Sequence, residues 1–379
     1  MPLNAAPEPI PGALDEVTAD WLTDALRAAG ELPRGTVEAM TVERIGDDRG
    51  FTGVIARIRP TYSDADQPPP ESMVVKLPTA DRVAGSSYRA NHNRDEAAVR
   101  RHYDRCAREV SFYRDLATQG GGAPHCYYAA ADPEQRRVVL LLADLAGGRP
   151  GDALAGCSAT EAAAIIDAIA PLHARMWRHP PGWLPRLITD PDASQRRYRA
   201  HLDPFLKRHG HQLPPPVREI LRRLRTGYAT VLATLAQAPT TAVHGDLHLD
   251  NIIFNPGQPA AILHWQSLCR GPAAADLAEI VFGSLPVAER PASEANLLTR
   301  YTARLRDHGI DDYPPELLHH DCRLALLRQV AGRVGWLANA DPEALSGRES
   351  ALVQAAFGDG RLVAALLDHQ LVHEHWAPR

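Results

Sequence analysis

From Ala242 to Gln266 the chain reads AVHGDLHLDNIIFNPGQPAAILHWQ, a polar loop set between short apolar runs. The IIF and AIL runs flank NPGQP, whose Asn, Pro and Gly favour a turn, and this predicts a hairpin lying beneath the loop. Such a hairpin is a rigid base that holds the Asp246 and Asn251 side chains at a fixed separation. The chain has 379 residues. Single cores stop growing at roughly 250 to 300 residues, so two lobes are expected around this unit.

Composition narrows the partners. Apolar residues make up 45% and charged residues 23%, which places the chain among folded globular proteins. A formal net charge of -5 with no long basic run argues against nucleic acid and anionic membranes. The start, MPLNAAPEPIPGALDE, lacks a basic and then apolar leader, and no later stretch is expected to reach the apolar length of a membrane span. A cytoplasmic protein is therefore expected. Cys106, Cys126, Cys157, Cys269 and Cys322 lie far apart without a CxxC pair, which predicts reduced thiols. Of 41 basic side chains only Lys76 and Lys207 are lysine, so each lysine needs a reason.

Along the chain, TADWLTDALRAAG reads as a helix with Thr18 at its N-cap and Gly30 at its C-terminal stop. VEAMTVERIGDDRGFTGVIARIRPTYS alternates apolar and polar residues on either side of a loop with Gly46, Gly50 and Gly53, as a hairpin would. SMVVKLP is a short buried strand ending near Lys76, and from about Arg89 to Ala117 the apolar period turns helical. RRVVLLLADL reads as another buried strand, and GGRPGD after it is the best linker. This divides the chain into an N-lobe at 1–143 with an N-terminal helix, a hinge at 144–150 and a mostly helical C-lobe at 151–379. The fold class expected is α+β and bilobal, with an antiparallel N-lobe sheet plus helix.

Asp246 and Asn251 are separated by four residues, the spacing of a phosphoryl-transfer loop in which the Asp accepts the substrate hydroxyl proton and the Asn binds metal. A compact lysine ammonium reaches buried phosphates and is held by one carboxylate, which makes Lys76 pointed in so arginine-rich a chain. Glu96 and Glu109 compete as its partner.

GFTGVIARIRPTY, VVKLP, REVSFYRDLA, LLLADLAGGRPGD, VHGDLHLDN and LHWQSLCRGPAAADLA occur in this order. In that order the chain resembles the small-molecule kinases related to aminoglycoside phosphotransferases and choline kinases, nearest to the ecdysteroid-kinase-like branch. The resemblance covers most of the chain and implies ATP and Mg2+ as cofactors. It implies that Gly50 and Gly53 lie in the phosphate-covering loop, that Lys76 contacts ATP phosphates, and that Glu109 pairs with Lys76. Asp246 would be the base, Asn251 a metal ligand, and Asp276 the acid that braces the loop.

One position departs from the family. Thirteen residues after Asn251, where the resemblance implies a metal-chelating aspartate, the chain has His264. Mg2+ is a hard ion that prefers oxygen ligands, so an imidazole there weakens a metal-nucleotide complex. Three readings stand open: a site that no longer transfers phosphate, an active site that tolerates His or takes Mn2+ or no metal, and a new use of imidazole as a catalytic or metal-binding group. His244, Asp246, His248 and His264 would also suit a two-His, one-carboxylate metal set. Against that, His244 is explained as a loop histidine bonding backbone, His248 as solvent-facing and His264 as packed beside Trp265. A milder departure is Ala143 in LLLADL, where the resemblance implies an acid.

Trp183, Arg186, Tyr198 and His201 are candidates to line an acceptor pocket, and Trp336, His373 and Trp376 are weaker ones; aromatics at such spacing are more often core. No dense acidic cluster offers partners to a polycation, so a small uncharged or apolar alcohol is the expected acceptor. The reading is an ATP-dependent O-phosphotransferase acting on a small hydroxyl-bearing metabolite. The alternative is a kinase-fold binding protein, or an enzyme with another reaction.

Overall fold

The structure is a computed structural model that describes residues 9–46, 53–63, 70–78, 96–255, 259–340, 347–357 and 360–371. Gly50, His373 and Trp376 lie outside the described residues. The chain divides into two compact units, the first comprising Met1–Thr118, Ala123–Gly148 and Leu263–Ser267, the second Gln119–Gly122, Arg149–Ile262 and Leu268–Arg379.

The first unit contains α1 (Ala19–Ala28), β1 (Thr36–Arg44), β2 (Gly53–Ser63), β3 (Met73–Pro78), α2 (Glu96–Asp115), β4 (Cys126–Asp132) and β5 (Arg137–Ala143). Its five strands form an antiparallel sheet in the order β1-β2-β3-β5-β4. Thr18 caps α1, its side chain accepting from the Trp21 amide at 3.1 Å, and Gly30 follows the helix at φ +78°, a conformation that favours glycine. Leu22, Ala25 and Leu26 of α1 share one buried cluster with Ile58, Val75, Leu77, Val139 and Leu141 of the sheet. Because side chains alternate along a strand, Val75 and Leu77 on that face send Lys76 to the other, toward α2. At the end of β5, where Ala143 lacks an acid, the next residue Asp144 accepts from Arg57 Nε at 2.6 Å and also from Ser72.

The second unit contains β6 (Arg149–Pro150), α3 (Ala159–Arg175), α4 (Pro191–His209), α5 (Pro215–Leu235), β7 (Thr240–Val243), β8 (Ile252–Phe254), β9 (Ala261–Ile262) and β10 (Cys269–Pro272). It continues with α6 (Ala274–Val281), α7 (Arg290–Asp307), α8 (Pro315–Asn339), α9 (Gly347–Phe357) and α10 (Arg361–Asp368). β8 and β9 pair as the expected hairpin, joined by β6 on the other edge of β8, and β7 pairs with β10. Ser158 and Glu161 form a reciprocal capping box at the start of α3, and α3 packs on α7 while α4 packs on α5 and α8.

One expectation needs correction. Residues 350–368 reach the length and mean hydropathy (1.2) of a membrane span, although no such stretch was expected. The stretch falls on α9 and α10, and Leu362, Val363, Ala365 and Leu366 of α10 are buried within the folded unit.

Candidate active site

In the first unit a single carboxylate organises two groups. Glu109, buried on α2, accepts from Lys76 Nζ at 2.5 Å through Oε2 and from the Trp265 amide at 3.2 Å through Oε1. Glu96, the competing acid, pairs instead with Arg136. Trp265 is fully buried and stacks on Phe112 of α2 with ring centroids 3.9 Å apart. Arg108 donates to the Gln266 carbonyl at 3.1 Å and Arg105 to Ser267 at 3.1 Å, so α2 grips the whole 265–267 turn.

His264 stands immediately before that grip, at φ +64°, a left-handed conformation in which Asn, Asp and His are the enriched residues besides glycine. Its Nδ1 lies 3.3 Å from Lys76 Nζ. An ammonium only donates, so Nδ1 is the acceptor and the ring proton sits on Nε2 of a neutral imidazole. Gly53 is buried at the start of β2, opposite Pro78 on β3.

In the second unit the HGD loop is braced from below. Asp276, fully buried on α6, accepts the His244 amide at 2.7 Å through Oδ2 and the Gly245 amide at 2.9 Å through Oδ1. Gly245 has φ +80°, which explains the glycine of the motif. Burial pushes the Asp276 carboxyl up, but hydrogen bonding and charge from His173, the nearby His244 and the Gly245 amide outweigh it and hold the group below the usual carboxylate range. The Asp246 amide donates to His244 Nδ1 at 3.2 Å, which engages His244 with backbone.

Asp246 itself is about half exposed, with its side chain 47% accessible, so a ligand can reach it. Asn251 donates through Nδ2 to the Asp246 carbonyl at 2.8 Å, and this orients its Oδ1 as the acceptor left for a cation. His248 Nε2 lies 3.2 Å from Asn251 Nδ2 and 3.7 Å from Asp246 Oδ1. Asp250 accepts from the Ala153 amide and from Arg348. Gly151 donates to the Ile252 carbonyl at 2.8 Å, so part of the GGRPGD segment supports the loop directly.

Several members of this site carry no local signal in the sequence. His173, at the end of α3 and fully buried, reaches Asp276 Oδ2 at 3.3 Å and the Tyr301 hydroxyl at 3.0 Å. Glu279, one turn after Asp276, accepts from Gln329 at 2.6 Å, and burial raises its pKa despite the Arg333 charge. Among the acceptor-pocket candidates, Tyr198 is buried and donates to the Leu221 carbonyl at 3.0 Å, a core role. Trp183 is 44% exposed, Trp336 is half-buried, and His201 meets Asn339 at 3.1 Å.

Comparison with a solved choline kinase gives the same fold. Choline kinase from Cryptosporidium parvum matches over 88% of this chain and 91% of its own, with a TM-score of 0.50 at 11% identity. A macrolide 2'-phosphotransferase from Brachybacterium faecium matches over 89% and 97% (TM-score 0.47, 17% identity), and Plasmodium vivax ethanolamine kinase over 93% and 87% (TM-score 0.45, 12% identity). The α+β arrangement of an antiparallel sheet with helices and a larger, mostly helical unit is thus kinase-like. No curated protein matches the chain in sequence. The model of the phosphotransferase enzyme family matches residues 66–315, which include Lys76, Glu109, the HGD loop, His264 and Asp276. With well over half its length matched, the chain belongs to the phosphotransferase enzyme family.

Proposed function

We propose that the chain transfers the terminal phosphoryl group of ATP to the hydroxyl of a small uncharged or apolar metabolite. The observation that carries this reading is the Asp276 brace, which holds the loop bearing Asp246 and Asn251 through two hydrogen bonds from a buried carboxylate. Phosphoryl transfer is mostly positioning and charge stabilisation, and a rigid loop supplies the first.

Lys76, kept in place by Glu109, and Gly53 are the described residues suited to the nucleotide phosphates. Bound ATP would supply the phosphoryl donor. The acceptor oxygen forms a bond to the terminal phosphorus, the bond from that phosphorus to the bridging oxygen breaks, and ADP leaves with the electron pair. Asp246 orients the acceptor hydroxyl and takes its proton. The ecdysteroid-kinase-like branch is the nearest relationship we infer from the order of motifs.

Mg2+ is poorly served by the residues available to it. In the second unit Asn251 offers one neutral oxygen, and in the first the position where the resemblance implies a metal-chelating aspartate holds an imidazole whose Nδ1 accepts from Lys76. This favours a second reading, in which the protein binds a metabolite without phosphorylating it or runs another reaction. Incubation with ATP, Mg2+ or Mn2+ and a panel of alcohols separates the two: ADP and a phosphorylated product support transfer. Absence of nucleotide binding with either metal would sink the kinase reading.

A further inference from the structure

α7, α8 and the residue following α10 bring Glu294, His319 and His369 together, in a part of the second unit that the HGD loop does not use. Glu294 Oε1 lies 3.1 Å from His319 Nε2 and 3.0 Å from His369 Nε2, and the three ligand atoms all fall within 4.8 Å of one another. With metal–ligand bonds of about 2.0–2.1 Å, neighbouring ligand atoms in a tetrahedral zinc site sit roughly 3.3 Å apart, so small side-chain shifts bring these three around one ion. We propose that Glu294, His319 and His369 form a zinc-binding site that fastens α10 to α7 and α8.

Four further observations favour a metal over a plain hydrogen-bonded cluster. His369 Nε2 is buried and lies 3.0 Å from Glu294 Oε1 without the alignment of a good hydrogen bond, a geometry that coordination to a shared ion tolerates. Arg290 donates to the other oxygen, Glu294 Oε2, at 2.7 Å, which orients the carboxylate and leaves Oε1 for the ion. Arg290 also pairs with Asp368, so its positive charge is offset where a cation would bind. His319 is 41% exposed, which gives the ion an entry path and leaves room for a water as fourth ligand. Two imidazoles and one carboxylate suit Zn2+ rather than Mg2+.

The test uses the full chain, stripped with chelator and dialysed, then titrated with Zn2+ and, as a spectroscopic probe, Co2+. One tight Zn2+ per chain, a tetrahedral Co2+ d–d band displaced by Zn2+, and a higher melting temperature with Zn2+ are expected. His319→Ala and Glu294→Gln should each weaken binding by at least about tenfold, as loss of a ligand or its orienting group does. His373→Ala with His375→Ala should leave it unchanged. No tight Zn2+ and no Co2+ band in the unaltered chain overturns the site, and this outcome does not depend on any variant folding. Unchanged affinity in His319→Ala and Glu294→Gln, or loss of binding on substituting His373 and His375 instead, also overturns it.

Discussion

Replacing Asp276 with alanine should unfasten the HGD loop. The substitution removes the acceptor of two backbone amides, His244 and Gly245 at 2.7 and 2.9 Å, and the partner of buried His173 at 3.3 Å. Each buried donor left without a partner costs about 1–3 kcal/mol. The amides and the imidazole share one cavity, so the effects overlap rather than add, and a loss of about 4 kcal/mol is expected. Domains are stable by only about 5–15 kcal/mol, so the variant should fold but be marginal.

Two units make a single global transition unsafe to assume, so the assay is native-state hydrogen exchange read at individual amides, with a urea midpoint as support. The His244 and Gly245 amides should lose protection while those of β2 and β3 keep theirs. pH supplies a second signature. The Asp276 carboxyl is held below its ordinary value, so its contribution is fully present above that value and is lost as pH falls through the lowered one. Asp276→Asn should flatten that acid limb. Unchanged protection at the two amides, or a destabilisation below about 1 kcal/mol in Asp276→Ala, would refute the bracing argument.

Other perturbations follow from the same geometry. If position 264 is the metal position proposed above, His264→Asp supplies an anionic oxygen there at a φ of +64° that Asp adopts readily, so calorimetry with Mg2+ and a non-hydrolysable ATP analogue should show binding tightened by at least about tenfold; no change would mean the imidazole does not limit the metal. Gly151→Ala places a Cβ against the Leu249 carbonyl, two residues before Asn251, and should lower kcat roughly 10- to 100-fold with the fold retained on circular dichroism; an unchanged kcat would show that the loop yields freely. Asp167 on α3 is held down to about 2 because Arg300 and Arg304 of α7 outweigh the upward push of burial. Its stabilisation should be complete above pH of about 4, fade between about 4 and 2, and amount to about 1 kcal/mol once solvent screening is allowed for; a pH profile of stability that Asp167→Asn leaves unaltered would count against it.

What could be read from the sequence was whatever local period and spacing encode. The alternation in GVIARIRPTYS and the apolar run VVKLP state their strand character directly, and Thr18 and Gly30 mark the ends of α1 because capping is local chemistry. Lys76 and Glu109, 33 residues apart, could be paired because Lys76 is one of two lysines and the resemblance that REVSFYRDLA helps to carry implies Glu109 as its partner. His173 could not, since it reaches Asp276 from 103 residues away and nothing around it departs from an ordinary apolar helix. The same applies to Glu294, His319 and His369, which three separate segments supply without any ligand-like spacing. GGRPGD read as a linker on composition alone, whereas the closeness of Gly151 to Leu249 is a matter of packing that composition does not carry.

Glu109 spends its two oxygens on two different parts of the first unit, the Lys76 ammonium and the backbone directly after His264. Any rotation of α2 that withdraws this carboxylate therefore releases the lysine and loosens the turn at Trp265 in the same movement. The two groups cannot switch independently, and relaxation measurements on Lys76 Nζ and on the Trp265 amide should report one shared exchange rate.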